Sequence, residues 1–242
     1  VTVLCDTLFS DQTALTEVQL PASLMYIGNI AFINCSALEN IALPNQVQSV
    51  GASAFRHCTS LKSIQLPDEL LFVGSGAFQS CSALETVQFN EKLQVISQSA
   101  FQDCTALRLA VLPESLQLLE SSAFQGCTSL SMAVLAGSTL PEIPENAFSG
   151  CSMLEYVTMS NSVKKIGASA FSNCINLRSM TFPSALTEIG EYAFSMCTSL
   201  KNLTIPETVE TVGKDAFFNS GWSLQQSSSW KICDGVLLEY CG

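Results

Sequence analysis

The sequence predicts an α/β solenoid: a right-handed coil of short repeats with a parallel β-sheet on its concave face and short helical or 3-10 turns opposite. Phenylalanine recurs every 23 residues along most of the chain, with one spacing of 24 between Phe124 and Phe148. Each repeat also holds a short apolar–polar alternation that proline often ends. One unit of this length cannot bury its own apolar side, so neighbouring units must stack and each core position becomes a ladder.

The first part of the repeat reads Ala-Phe-x-x-Cys and is too short for a full α-helix. We therefore expect a helical or 3-10 turn there. Leu8 replaces the alanine in the first copy. The recurring phenylalanines are Phe9, Phe32, Phe55, Phe78, Phe101, Phe124, Phe148, Phe171, Phe194 and Phe217.

The next part, Leu-x-x-Ile-x-Leu-Pro, predicts the strand. Its last apolar residues alternate, as at Ile41 and Leu43, and proline suits a strand end because it lacks the N–H. Stacked copies would form a parallel sheet with about 4.8 Å between strands.

The repeat closes with a second apolar pair, such as Leu24 and Ile27, usually followed by glycine. We expect these glycines to supply a positive φ at a corner of the coil. They are Gly28, Gly51, Gly74, Gly167, Gly190 and Gly213.

Eight regularly spaced cysteines predict a ladder of buried thiols, because free cysteine is among the most buried residue types. In-register stacking also disfavours disulfides between them, since it keeps their Cβ atoms near the strand spacing. The eight are Cys35, Cys58, Cys81, Cys104, Cys127, Cys151, Cys174 and Cys197. Cys5 takes the glycine place of a partial first repeat, whereas Cys233 and Cys241 either pair across a hairpin or remain free.

The pattern divides the chain into a solenoid over residues 1–220, of about nine repeats and starting within one, and a C-terminal segment over residues 221–242. That segment contains both tryptophans and predicts a short hairpin around Asp234-Gly235, which we interpret as a cap. Without a capping motif at Val1 to Phe9, the N-terminal end would expose apolar core unless further repeats or another domain cover it, and an uncovered end would allow weak self-association.

The repeated Ala-Phe-x-x-Cys-x-x-Leu motif, over roughly residues 1–220, resembles the BspA-like, or Treponema-type, leucine-rich repeats. The resemblance implies a surface or secreted protein of a bacterium or protozoan, with an adhesive or binding role toward a partner such as a host matrix or surface protein. It therefore also implies an extracellular or cell-surface location, with a signal peptide or upstream segment outside this chain.

Composition and motifs argue against other function classes. A net charge of −11 disfavours nucleic acid and anionic membranes as partners, and no apolar run is long enough to insert into a bilayer. His57 is the only histidine and lies at a variable, surface-type position, so a conventional Ser-His or Cys-His pair is not expected. We expect no enzyme activity, no cofactor and no metal site.

Two middle strands depart from the polar pattern of outward positions, and a third carries Tyr156. The apolar residues are Leu109, Val111, Met132, Val134 and Tyr156. They form either an exposed patch that binds a partner or a local bulge that turns them into the core, and the sequence leaves both open.

Charges just before the strands alternate between neighbouring repeats, as at Glu39 and Lys62, and should pair along the surface.

The predicted function is a recognition module that binds protein or glycan through the concave sheet. The alternative is a structural spacer without a ligand of its own, which a uniformly polar sheet face would favour.

Overall fold

The computed structural model describes residues 1–135, 137–225, 231–233 and 236–238. The chain forms a parallel β-sheet solenoid of about nine turns with almost no helix. Each turn of the solenoid is called a coil below, and two positions in most coils form strands. The predicted solenoid with a parallel sheet is therefore confirmed.

The first sheet is built from the predicted Leu-x-x-Ile-x-Leu segments. Its strands are three residues long, with the middle residue facing the core: β4 (Ser63–Gln65), β6 (Thr86–Gln88), β8 (Leu109–Val111), β10 (Met132–Val134) and β12 (Tyr156–Thr158). β4 pairs with β6, and β10 pairs with both β8 and β12, all parallel. Within the described residues, no strand pairing joins β6 to β8, so the first sheet consists of two ladders. Single bridges at Ser179 and Asn202 continue the ladder.

A second sheet, which the sequence reasoning missed, follows the closing apolar pair. Its strands are two residues long: β1 (Val3–Leu4), β2 (Tyr26–Ile27), β3 (Ser49–Val50), β5 (Phe72–Val73), β7 (Val95–Ile96), β9 (Leu118–Leu119), β11 (Glu142–Ile143), β13 (Lys165–Ile166), β14 (Glu188–Ile189) and β15 (Thr211–Val212). The first six pair in chain order, and the last four form a separate ladder.

The lack of pairing between β9 and β11 has a local physical reason. In regular coils the backbone N–H after the second strand donates to the preceding coil, as from Gly51 to the Ile27 carbonyl at 2.9 Å. Pro144 occupies this place after β11 and has no N–H to donate. The interruption therefore falls in the one 24-residue repeat.

The predicted helical or 3-10 turns are not confirmed, because the Ala-Phe-x-x-Cys segments form successive tight turns. A bond from the Cys35 N–H to the Phe32 carbonyl, 3.2 Å, closes one such turn. Ile30 and Asn34 on either side of Phe32 have φ of 49° and 60°. A left-handed residue interrupts a right-handed helix, so none propagates here. The only helix among the described residues is α1 (Gly221–Gln225).

The expectation that the six repeat glycines supply a positive φ is wrong. None of the six has one, and the left-handed residues lie elsewhere, for example at Ser53 and His57. Glycine is needed instead because neighbouring coils touch at this corner. A Cβ on Gly51 would lie 2.6 Å from the carbonyl carbon of Gly28, far inside van der Waals contact.

Phenylalanine rings form a continuous stack through the core. Phe32 and Phe55 are typical, with ring centroids 5.0 Å apart and planes 5° from parallel. The stack runs from Phe9 to Phe217 at similar spacing, and its interior members are fully buried. It joins every coil into one core.

The cysteine ladder is confirmed as buried and unpaired. Each thiol donates to the phenylalanine carbonyl of the preceding coil, as from Cys58 Sγ to the Phe32 oxygen at 3.2 Å. Burial is the main cause that raises the pKa of the ladder thiols, to about 12 for Cys81 and Cys197. The thiolate, which is the reactive form, is therefore scarce at neutral pH.

Alkylation of the native protein near pH 8 should accordingly modify Cys5, which is exposed, and leave the eight ladder thiols intact. Labelling should reach all eight once denaturant unfolds the chain. Peptide mapping after short and long exposure checks this, with Cys233 and Cys241 scored separately because their side chains lie outside the described residues. Rapid native labelling of six or more ladder thiols would show that the ladder is open to solvent.

The C-terminal segment begins with α1, in which Trp222 packs on Phe217 with ring centroids 4.9 Å apart. β16 (Lys231–Cys233) then pairs antiparallel with β17 (Val236–Leu238), and β17 lies beside β15. The predicted turn at Asp234-Gly235 and the suggested Cys233–Cys241 pair lie outside the described residues. A boundary at residue 220 and a capping role stay predictions.

Candidate interaction surface

The five apolar residues singled out by the sequence lie together on the outer face of the first sheet. Leu109, Met132 and Tyr156 are direct neighbours on β8, β10 and β12, and Val111 neighbours Val134. We call these five residues the central patch. Their exposed fractions are 45% for Leu109, 48% for Val111, 39% for Met132 and 45% for Tyr156, and Val134 is half-buried.

The strands show no bulge at this point. Ala110 pairs with Ala133 between the two outward columns, and both alanines are fully buried. A bulge would place two residues of one strand opposite a single residue of the next and would break this register. The side chains of the central patch therefore face outward from the sheet and do not enter the core.

Polar side chains border the patch along the sheet. The outward positions are Thr86 and Gln88 on β6, and Thr158 shares β12 with Tyr156. All three are exposed. An apolar area with such a rim is the usual form of a protein contact site.

A groove of about 620 Å³ adjoins the patch and is lined by Leu109, Val111 and Val134 along with residues of β6. Phe89, which follows β6, lies half-buried beneath it. The Phe89 ring contacts Phe101 and Phe124 edge-on, with centroids 5.7 and 6.5 Å away.

Ion pairs flank the strands on the side where each strand begins, as predicted. Lys62 binds Glu39 at 2.7 Å, Arg108 binds Glu85 at 3.2 Å, and Arg178 binds Glu155 at 3.5 Å. The hydrogen bond with Lys62 lowers the pKa of Glu39, and the same bond raises the pKa of Lys62. Five of the six side chains are largely exposed and Glu155 is half-buried, so each pair contributes little to stability and serves mainly to match neighbouring coils.

On the other side of the groove, Glu91 and Glu114 are exposed and make no ion pair with any residue that the structure describes. This edge is therefore acidic, in keeping with the net charge of −11. A partner that reaches across the groove would meet negative charge here.

In the described part of the chain, the side chains show no arrangement that suits metal binding or catalysis by histidine. His57 is a half-buried turn residue with φ of 61°. Within the described ranges, no three His, Cys, Asp or Glu side chains are grouped so that they could hold a metal ion. Among the helices found there, none is long and apolar enough to span a membrane.

Comparison with protein families gives one match, described as BspA type leucine-rich repeat region. It occurs in six copies that together cover residues 2–131 and 131–233. No curated protein matches the chain significantly in sequence.

Solved structures give the same fold. A leucine-rich repeat protein of Treponema pallidum is 28% identical over 73% of this chain and 72% of that chain, with a TM-score of 0.52. A leucine-rich cell surface protein of Faecalibacterium prausnitzii is also 28% identical, over 92% of this chain and 69% of that chain, with a TM-score of 0.60. A leucine-rich repeat protein of Eubacterium ventriosum has a TM-score of 0.65 over 96% of this chain and 83% of that chain, at 17% identity.

Proposed function

Because the chain belongs to the BspA-type leucine-rich-repeat family, we propose that it is a recognition module that binds another protein through the central patch. The family match bears out the resemblance drawn from the repeat. Proteins built from such repeats commonly mediate protein interactions and are generally not enzymes. We accordingly expect no catalytic activity from this chain.

The observation that carries the proposal is that four exposed apolar side chains and half-buried Val134 lie together on β8, β10 and β12. Neighbouring strands are about 4.8 Å apart, so the five side chains can enter one contact. Aromatic and methionine side chains are enriched in contact cores, and burying one fully contributes about 1.5–3 kcal/mol. The adjoining groove offers room for side chains of a partner.

We propose an extracellular or cell-surface location and an adhesive role, with the first sheet on the concave face of a right-handed coil. The F. prausnitzii protein of similar fold is described as a cell surface protein. A protein is the preferred partner over a glycan because the central patch is apolar.

The test compares binding of the native chain and a Met132→Gln/Tyr156→Gln variant to a panel of purified extracellular-matrix proteins. For any panel protein that binds, we expect affinity to fall tenfold or more, because each change removes apolar area from the contact. The melting temperature should hardly change, since both side chains are exposed.

A Ser63→Gln/Asn202→Gln variant is the matched control, because these residues take the same outward position in other coils. Its affinity should equal that of the native chain. Equal loss in both variants would argue against a site at the patch, and absence of binding to every panel protein would favour the spacer. A lower melting temperature only in the patch variant would mean that these side chains belong to the core.

A further inference from the structure

The outward column of the second sheet has no charge along its first six strands. Its members are in register from β1 to β9 in the order Val3, Tyr26, Ser49, Phe72, Val95 and Leu118. We call these six residues the uncharged column. The exposed fractions are 49% for Val3, 40% for Tyr26 and Phe72, and 44% for Leu118.

The residues one position earlier in the chain extend this surface and are uncharged as well. They are Thr2, Met25, Gln48, Leu71, Gln94 and Gln117. Leu71 is 40% exposed, and the Tyr26 hydroxyl donates to Gln48 Oε1 at 3.1 Å. The surface is thus apolar with neutral amide groups at its side.

Beyond β9, the same outward position carries mostly charged residues. It continues as Glu142, Lys165, Glu188 and Thr211, and Lys165 binds Glu188 at 3.0 Å. The apolar character is therefore confined to one half of the sheet and is not a general property of this position in the repeat.

We propose that the uncharged column is the contact surface for a second copy of this chain, arranged around a two-fold axis. A two-fold contact uses the same surface on both copies, so that residue i meets j where j meets i. The axis lies in the plane of the contact, parallel to the strands and midway between β3 and β5. Rotation by 180° about it reverses the order of the column in the second copy. It places Phe72 opposite Ser49 of the other copy.

The remaining members also match in size under this symmetry. Tyr26 comes to lie opposite Val95, and Val3 opposite Leu118. Each aromatic side chain therefore meets a smaller residue, which is the shape complementarity that a packed contact requires. The fit follows from the order of residues in a single chain and needs no other partner.

Charge also favours a second copy at this place. Two chains that each carry −11 repel one another over most of their surfaces. On the first sheet, for example, Glu91 and Glu114 border the groove. No carboxylate lies in the uncharged column itself, and Glu120, which borders it, accepts a hydrogen bond from the Gln98 N–H at 2.8 Å. The apolar side chains of the column gain from leaving water.

The size of the surface sets the strength of the contact. Five strand spacings of about 4.8 Å give a length of about 24 Å. A strip of that length and about 10 Å wide, two side chains across, covers about 240 Å² per copy, roughly a third of what stable interfaces bury. The dimer should therefore be weak and in rapid exchange with the monomer.

Sedimentation equilibrium of the native chain under reducing conditions tests this, with two single variants and their combination. Ser49→Phe should create a clash and Phe72→Ser a gap, so each should weaken dimerisation at least fivefold. The double variant exchanges the two partners and should return the dimerisation constant to within about twofold of the native value. Thr211→Phe, on the same column beyond β9, should change nothing.

The native chain remaining a monomer at the highest soluble concentration would overturn the proposal. Self-association that none of the variants alters would also overturn it and would point to the open end of the coil instead. Failure of the double variant to recover, with melting temperature unchanged, would exclude the two-fold pairing. None of these results depends on whether the central patch binds a partner.

Discussion

Replacing Phe101 with alanine is expected to lower the free energy of unfolding by about 3–5 kcal/mol. Phe101 is fully buried, between Phe78 and Phe124 at centroid distances of 5.3 and 5.4 Å. Phe89 also meets it edge-on at 5.7 Å. Removing the ring leaves a cavity that the flanking coils cannot close, because the remaining phenylalanines fix their separation.

Urea unfolding followed by circular dichroism measures this loss. Phe9→Ala is the matched control, because Phe9 takes the same place in the first coil but is half-buried and stacks only on Phe32. In a chain whose coils contact only their neighbours, a change at the end should cost less than one in the middle. Similar losses at both positions would contradict the view of the core as a continuous stack.

A second large effect is expected for Gly190→Ala, a loss of about 1–3 kcal/mol. The new Cβ would lie 2.6 Å from both the Gly167 carbonyl carbon and the Ala168 nitrogen. Backbone atoms cannot turn away as a flexible side chain can, so the two coils must separate. Because these coils also carry β13 and β14, their separation would weaken the second sheet.

Gly76→Ala separates this effect from a general cost of replacing glycine. Gly76 has a φ of 60°, and its nearest neighbour would be the tip of Gln79 at 3.3 Å. Its replacement should cost about 1–2 kcal/mol for the left-handed backbone and leave the coil spacing intact. Hydrogen exchange can distinguish the variants, because only Gly190→Ala should loosen amides of β13 and β14.

The period of the sequence was sufficient to predict the solenoid and its ladders, because each repeated residue meets its own counterpart one coil away. It also predicted the ion pair between Lys62 and Glu39. The second sheet was missed because strands such as Ser49–Val50 are too short to show an alternation. The role of Gly51 was also missed, since contact between coils depends on a distance that no sequence pattern displays.

The central patch shows a different limit of sequence reasoning. In β8 and β10 the inward Ala110 and Ala133 are small, while outward Leu109 and Met132 are large and apolar. Without polar residues to mark the outer face, hydrophobicity alone does not give the direction of each side chain. The register with neighbouring strands supplies that direction, and it became known only from the structure.

Site-specific photo-crosslinking tests the central claim, binding through the patch, most directly. A photoreactive amino acid would replace Met132, Tyr156, Asn202 or Phe72 in turn, and each protein would be irradiated with a matrix protein that it binds. The account predicts crosslinks to that protein from positions 132 and 156, and none from 202 on the same sheet or 72 on the other. Crosslinks from 202 or 72 with none from 132 and 156 would contradict it.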